Sequence, residues 1–136
     1  MRRARRIAVG IAVVTTVLAT SLASWAGKQY ASQVFIHDDD REAIGALGSA
    51  RNSGDGIQEI GCLVSANFIG AENVYCFAKR VLNSTFRSCS SSDPKLVDIA
   101  KGQSDSSRLV FEWSASNGAC EYIEVTHASW WEPKAP

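Results

Sequence analysis

The sequence is poor in the residues that most enzyme chemistry requires. Only two histidines, His37 and His127, occur in 136 residues, and neither lies in an H-E-x-x-H pattern. No C-x-x-C, G-x-S-x-G or phosphate-loop motif is present, so the familiar local signatures of zinc, serine-hydrolase and nucleotide sites are missing. Proline occurs three times, at Pro94, Pro133 and Pro136, too rarely for an extended proline-rich linker. After Ala26 no apolar run is long enough to span a bilayer, which would take about 20 residues. A basic stripe for phosphates is missing too, and nucleic-acid binding is not expected.

What is present begins with the leader. Arg2, Arg3, Arg5 and Arg6 precede a charge-free apolar run from Ile7 to Ala23, and Ser24 and Ala26 supply small residues at the −3 and −1 positions of a cleavage site. That order is read by the export machinery, so residues 1–26 are expected to be a signal peptide. As a helix the run would reach roughly 25 Å at about 1.5 Å per residue, a little short of a hydrocarbon core of about 30 Å. Retention as an uncleaved anchor is the competing reading, and a membrane partner follows only from it. Without the four leader arginines, 10 basic residues face 14 acidic ones, a net charge of about −4. About 110 residues then remain, enough for one domain.

Four cysteines, Cys62, Cys76, Cys89 and Cys120, make an even count in a chain expected to leave the reducing cytosol, which predicts two disulfides. Their separations of 14, 13 and 31 positions do not resemble the close-set pairs of structural zinc sites. No metal or cofactor is expected.

Residues 27–56 form a poorly defined N-terminal segment. Gln33 to Ile36 reads as a short strand, Arg41 to Leu47 after three aspartates as a short helix, and Gly48 to Gly56 as a loop. From Ile57 the pattern sharpens, and residues 57–136 are expected to form a compact disulfide-bonded domain. Ile57–Ala66, Val74–Val81 and Thr85–Ser90 predict an antiparallel meander. Asp93 as N-cap, Pro94 at the first helical position, and Lys101 and Gly102 at the end predict a helix over 93–101, with Gly102 left-handed and Leu96, Ile99 and Ala100 on its apolar face.

Arg108–Ala115 and Ala119–Ala128 predict a second hairpin around Ser116-Asn117-Gly118. A two-residue turn would set Phe111 opposite Glu124. A three-residue loop with Gly118 left-handed sets Leu109 opposite Val125 and Phe111 opposite Ile123, and hydrophobic matching selects it. The expected fold is therefore α+β, a small two-layer sandwich of about five mostly antiparallel strands and one helix. A crossover through that helix brings Cys89 beside Cys120, which favours the pairs Cys62–Cys76 and Cys89–Cys120. The alternative joins Cys76 to Cys89 and Cys62 to Cys120.

Candidate chemistry is sparse. His127 with a nearby Ser or Glu could serve a hydrolase. His37-Asp38-Asp39-Asp40 is a weak cation motif matching no EF-hand spacing, and Glu112, Glu121 and Glu124 read as surface charges. Asn83-Ser84-Thr85 reads as a turn. Trp130 and Trp131 cannot both face one core from a single strand, so they are the candidate binding surface.

The order Cys76, Ser88-Cys89-Ser90-Ser91-Ser92-Asp93-Pro94, Ser104-Asp105-Ser106-Ser107, Phe111-Glu112-Trp113, Gly118-Ala119-Cys120 and Trp131-Glu132-Pro133-Lys134 resembles that of a set of short exported bacterial proteins of uncharacterised function. The resemblance covers roughly residues 74–134 and implies export and a disulfide-bonded domain, with no catalytic residue. The expectation is a non-catalytic periplasmic or secreted module whose partner is another protein, inhibitor-like or accessory in role. A small exported hydrolase is the alternative.

Overall fold

The computed structural model describes residues 30–131. The expected leader and the closing Glu132-Pro133-Lys134 lie outside them. Three strands, β3 (Glu59–Ala66), β4 (Glu72–Lys79) and β5 (Phe86–Ser91), form one antiparallel sheet in chain order. Tight connections fix it. In the first, the Asn67 side chain accepts from the Ile69 and Ala71 amides, and Gly70 takes the positive φ of 83° that the reversal needs. The second is a short 3₁₀ turn over Leu82–Ser84.

The second sheet has the order β1 (Phe35–His37), β2 (Glu42–Ala46), β6 (Ser107–Trp113), β7 (Cys120–His127), antiparallel throughout. In the last hairpin Leu109 faces Val125, Phe111 faces Ile123, and Gly118 has φ 69°, as hydrophobic matching predicts. A bulge at Glu112/Trp113 then sets Trp113 opposite Cys120. The fold is α+β, and among the described residues it has one main helix, two disulfides and seven strands divided between two sheets, where about five in one were expected.

Both strands beyond the expected five come from the N-terminal segment: β1 overlaps the short strand read at Gln33–Ile36, whereas β2 falls where a helix was expected. Arg41–Leu47 is not a helix; Glu42–Ala46 is strand β2, paired along β6. Tertiary pairing overrides the local signal, and Gly45 suits the site because a Cβ there would lie 3.2 Å from the Val34 backbone. The segment read as loop begins instead with α1 (Leu47–Asn52), whose Gly48, Ser49 and Ala50 are buried.

Helix α2 (Pro94–Lys101) starts as expected: the Asp93 carboxylate accepts from the Lys95 amide at 2.8 Å. Two details differ. Gly102 is right-handed (φ −73°), its N–H returning to Ile99 and Ala100. The buried face is Val97 and Ala100, whereas Ile99 is exposed, because α2 must touch β3, β4 and β7 together.

Cys62 bonds Cys76, and Cys89 bonds Cys120. The ladder explains the choice, since Cys76 lies opposite both Cys62 and Cys89. The Cys62 N–H and C=O point away from β4, where the Gln103 side-chain amide takes both. Cys62–Cys76 is thus a narrow, non-hydrogen-bonded pair, with Cα atoms 4.0 Å apart. Cys76–Cys89 is the wider, hydrogen-bonded kind. Cys89 turns instead to Cys120, across the place where a parallel bridge joins Ser90 to Ala119. Both bridges lie in a core filled by Val74, Val97, Leu109 and Phe111, all fully buried. Among the described residues no helix is long and apolar enough to cross a membrane.

Candidate functional site

Strand register assigns the outer face of the four-stranded sheet. One row runs His37, Glu42, Glu112, Tyr122; the next runs Phe35, Ile44, Val110, Glu124. Neighbours on the alternate rows (Ile36, Ala43, Phe111, Ile123) face the core, so these two rows face outward. Glu42 and Glu112 lie directly opposite one another. Among the described residues neither forms an ion pair, although like charges so placed repel. Phe35 and Tyr122 are exposed beside them, and the Phe35 ring stacks on His37 at 6.4 Å.

Glu124 is the satisfied acid of this face. It accepts from Thr126 Oγ1 at 2.7 Å and from the Tyr122 hydroxyl at 2.9 Å, with Arg108 at 3.4 Å. The Thr126 bond, then the Tyr122 bond, holds its carboxyl below the usual range. Donating to that carboxylate pushes the Tyr122 phenol up, with the negative charge of Glu124 adding to the shift.

The tryptophans sit at the far end of the same sheet. Tyr30 forms a parallel bridge with Trp131 and donates its N–H to the Trp130 carbonyl at 2.7 Å, so the two ends of the described chain meet. Trp131 is half-buried with the Arg108 guanidinium 5.8 Å from its ring centre. Trp130 is 49% exposed and meets Trp131 edge-on at 6.4 Å. One indole is thus held against the sheet and the other is presented. Sequence reasoning singled out the tryptophans but missed Tyr30, Phe35 and Glu42 as companions. The alternation in Tyr122 and Glu124 was the available signal; Glu42 was hidden by the helical reading of its segment.

The remaining candidates lie elsewhere. His127 ends β7 opposite Ser107, its Nδ1 3.1 Å from Ser107 Oγ and 3.4 Å from Ser104 Oγ. Ser107 is fully buried and already accepts from the Ser104 amide at 2.7 Å. Among the described residues no carboxylate hydrogen-bonds to the His127 ring. Asp38 is engaged by Arg87 at 2.7 Å and Arg80 at 3.8 Å, which offsets the charge that would draw a cation. Glu112 and Glu124 are not opposed, and Glu121 is exposed. The sulfurs of Cys76, Cys89 and Cys120 lie within 4.8 Å of one another but are committed to bridges, and metal ligation requires thiolates. Comparison with known protein families, curated proteins and solved structures finds no match.

Proposed function

We propose that this chain is an exported, non-catalytic binding module of the cell envelope or secretome, which engages another protein through the outer face of its four-stranded sheet. The leader and two buried disulfides support export to an oxidising compartment. The reading rests on one observation: Glu42 faces Glu112 with no counter-cation among the described residues, beside exposed Phe35, Tyr122 and, farther along, Trp130. The repulsion costs a few tenths of a kcal/mol or more, with no return to the fold. A partner carrying Lys or Arg would remove it, and exposed aromatics are favoured anchors in such contacts. The test is a photo-reactive residue placed at Tyr122 or, as control, at Asp98, in protein exported by its own cell. A discrete adduct at Tyr122 alone, lost when Glu42→Lys and Glu112→Lys are added, is expected. Adducts at neither position, or equally at both, would sink the reading.

A second reading has one contact in its favour. Ser104 and Ser107 converge on His127 Nδ1, the nucleophile–base arrangement a small hydrolase would use. Among the described residues it lacks a carboxylate to orient the imidazole, and the better-placed hydroxyl is buried. Labelling by a fluorophosphonate that disappears in Ser104→Ala would establish it over the binding module.

A further inference from the structure

The free edge of β3 carries a second feature, which shares no residue with the outer face described above. A groove of about 380 Å³ opens there between α1 and the loop before β6, a volume in the range of ligand sites. Leu47, Ala50 and Ile60 line it on the core side of β3; Phe77, paired with Gly61, lies on the same face of the sheet as Glu59, and Arg51 and Asp105 also border the groove. Among the described residues none of these three charges forms an ion pair, so the rim has two acids, one base and a net negative charge.

The main chain beside the groove is unfinished in the same place. Gln103 holds the outward-facing N–H and C=O of Cys62. Ladder alternation turns the N–H and C=O of Ile60, two residues earlier, to the same edge. Among the described residues no hydrogen-bond partner takes them up. The Gln103 amide thus already makes, at Cys62, the pair of bonds a peptide group would make at Ile60.

We propose that this groove binds an extended peptide in which an apolar residue is followed or preceded directly by Lys or Arg. Main-chain bonds to Ile60 would add the segment to the sheet edge. A residue opposite Ile60 points to the apolar side and fills the groove. Its immediate neighbour points the other way, opposite Glu59, where a cation meets Glu59 and Asp105. Gln103 stops the ladder at Cys62, so the bound stretch is short and the affinity modest.

Selection of a random octapeptide display library against the disulfide-intact exported protein tests this. Enriched sequences are expected to carry an adjacent apolar–basic pair. Binding of the synthetic peptide should weaken on the order of ten-fold in a Glu59→Lys, Asp105→Lys variant. N-methylation of the amide that meets the Ile60 carbonyl should weaken it several-fold. All three positions used on the protein are at the surface or untouched, so folding is preserved, and Trp130→Ala should leave binding unchanged. No enrichment, or peptides indifferent to the double charge reversal, would overturn the groove. Peptides lost in Trp130→Ala but retained in the charge-reversed variant would overturn it too, while leaving the outer-face reading standing.

Discussion

The two sheets are built from the chain in opposite ways. The three-stranded sheet is continuous, Glu59 to Ser91, with each strand paired to the next and one disulfide, Cys62–Cys76, inside its first hairpin. The four-stranded sheet joins Phe35–Ala46 to Ser107–His127, so that β2 and β6 pair across more than sixty residues. The first needs little loop closure before its contacts form; the second must close the whole of the other sheet and α2 as a loop. Long-range pairing is therefore where this fold depends on devices beyond the strands themselves. Three are visible: the Cys89–Cys120 bridge, the Phe111 layer, and the contacts that pin the segment before β1.

The long-range sheet is most sensitive at Phe111, which is fully buried between Ala43 of β2 and Ile123 of β7. Phe111→Ala should cost about 3–5 kcal/mol, measured by denaturant unfolding of the oxidised protein. Hydrogen exchange would show whether the sheets are one cooperative unit. Protection lost together in Val74 and Leu109 is expected, since one core contains both. If the meander keeps its protection while β6 and β7 lose theirs, the two sheets are separate cooperative units.

By loop entropy, removing Cys89–Cys120 as a pair of alanines should cost about 3.7 kcal/mol, and removing Cys62–Cys76 about 3.0 kcal/mol, for separations of 31 and 14 residues. The difference should widen beyond that estimate, because only the first bridge ties one sheet to the other. Equal losses of midpoint in denaturant for the two double variants would contradict it.

A smaller effect is expected at Gln58, whose buried side chain accepts from the Val34 amide at 2.8 Å. Gln58→Ala leaves that amide without an acceptor and should cost about 1–3 kcal/mol. Exchange at Val34 and in β1 should rise most, and a uniform rise across β3–β5 would contradict the local role.

How far each part could be read from the sequence follows the same division. The meander, α2 and the last hairpin rest on local signals: alternation, the Asp93 cap, and the matching of Phe111 with Ile123. Their elements are legible for that reason, as is the register of the last hairpin. Glu42–Ala46 is a strand only because β6 lies beside it, and no local feature of Glu-Ala-Ile-Gly-Ala announces that partner. The candidate face inherited the same limit. Trp130 and Trp131 stood out as neighbours that one core cannot hold together, and Glu124 as a surface charge. Glu42, their charged neighbour, came into view only with the pairing. The groove beside β3 was less legible still, since α1, β3, β4 and the loop before β6 each contribute to it.

The smallest expected effect lies in the loop that supports this long-range sheet. The Asp55 carboxylate accepts from Gln58 Nε2 at 2.6 Å and from the Gln58 and Ile57 amides at 3.0 and 2.7 Å. Those bonds, the Gln58 side chain first, lower its pKa from 3.8 to about 2. A folded-state pKa below the unfolded value favours the native state wherever the group is ionised in both, that is, above about pH 4. The contribution then fades as pH falls from about 4 towards 2, because the unfolded chain takes up the proton first. Asp55→Asn should therefore be less stable than wild type at neutral pH, with its stability falling less steeply between pH 4 and 2, so that the two curves draw together. The group is exposed, so the gap should be small and should narrow with Gln58→Ala, which removes the principal partner. Parallel acid limbs for wild type and Asp55→Asn would show that Asp55 does not anchor Gln58, and through it Val34, to the rest of the fold.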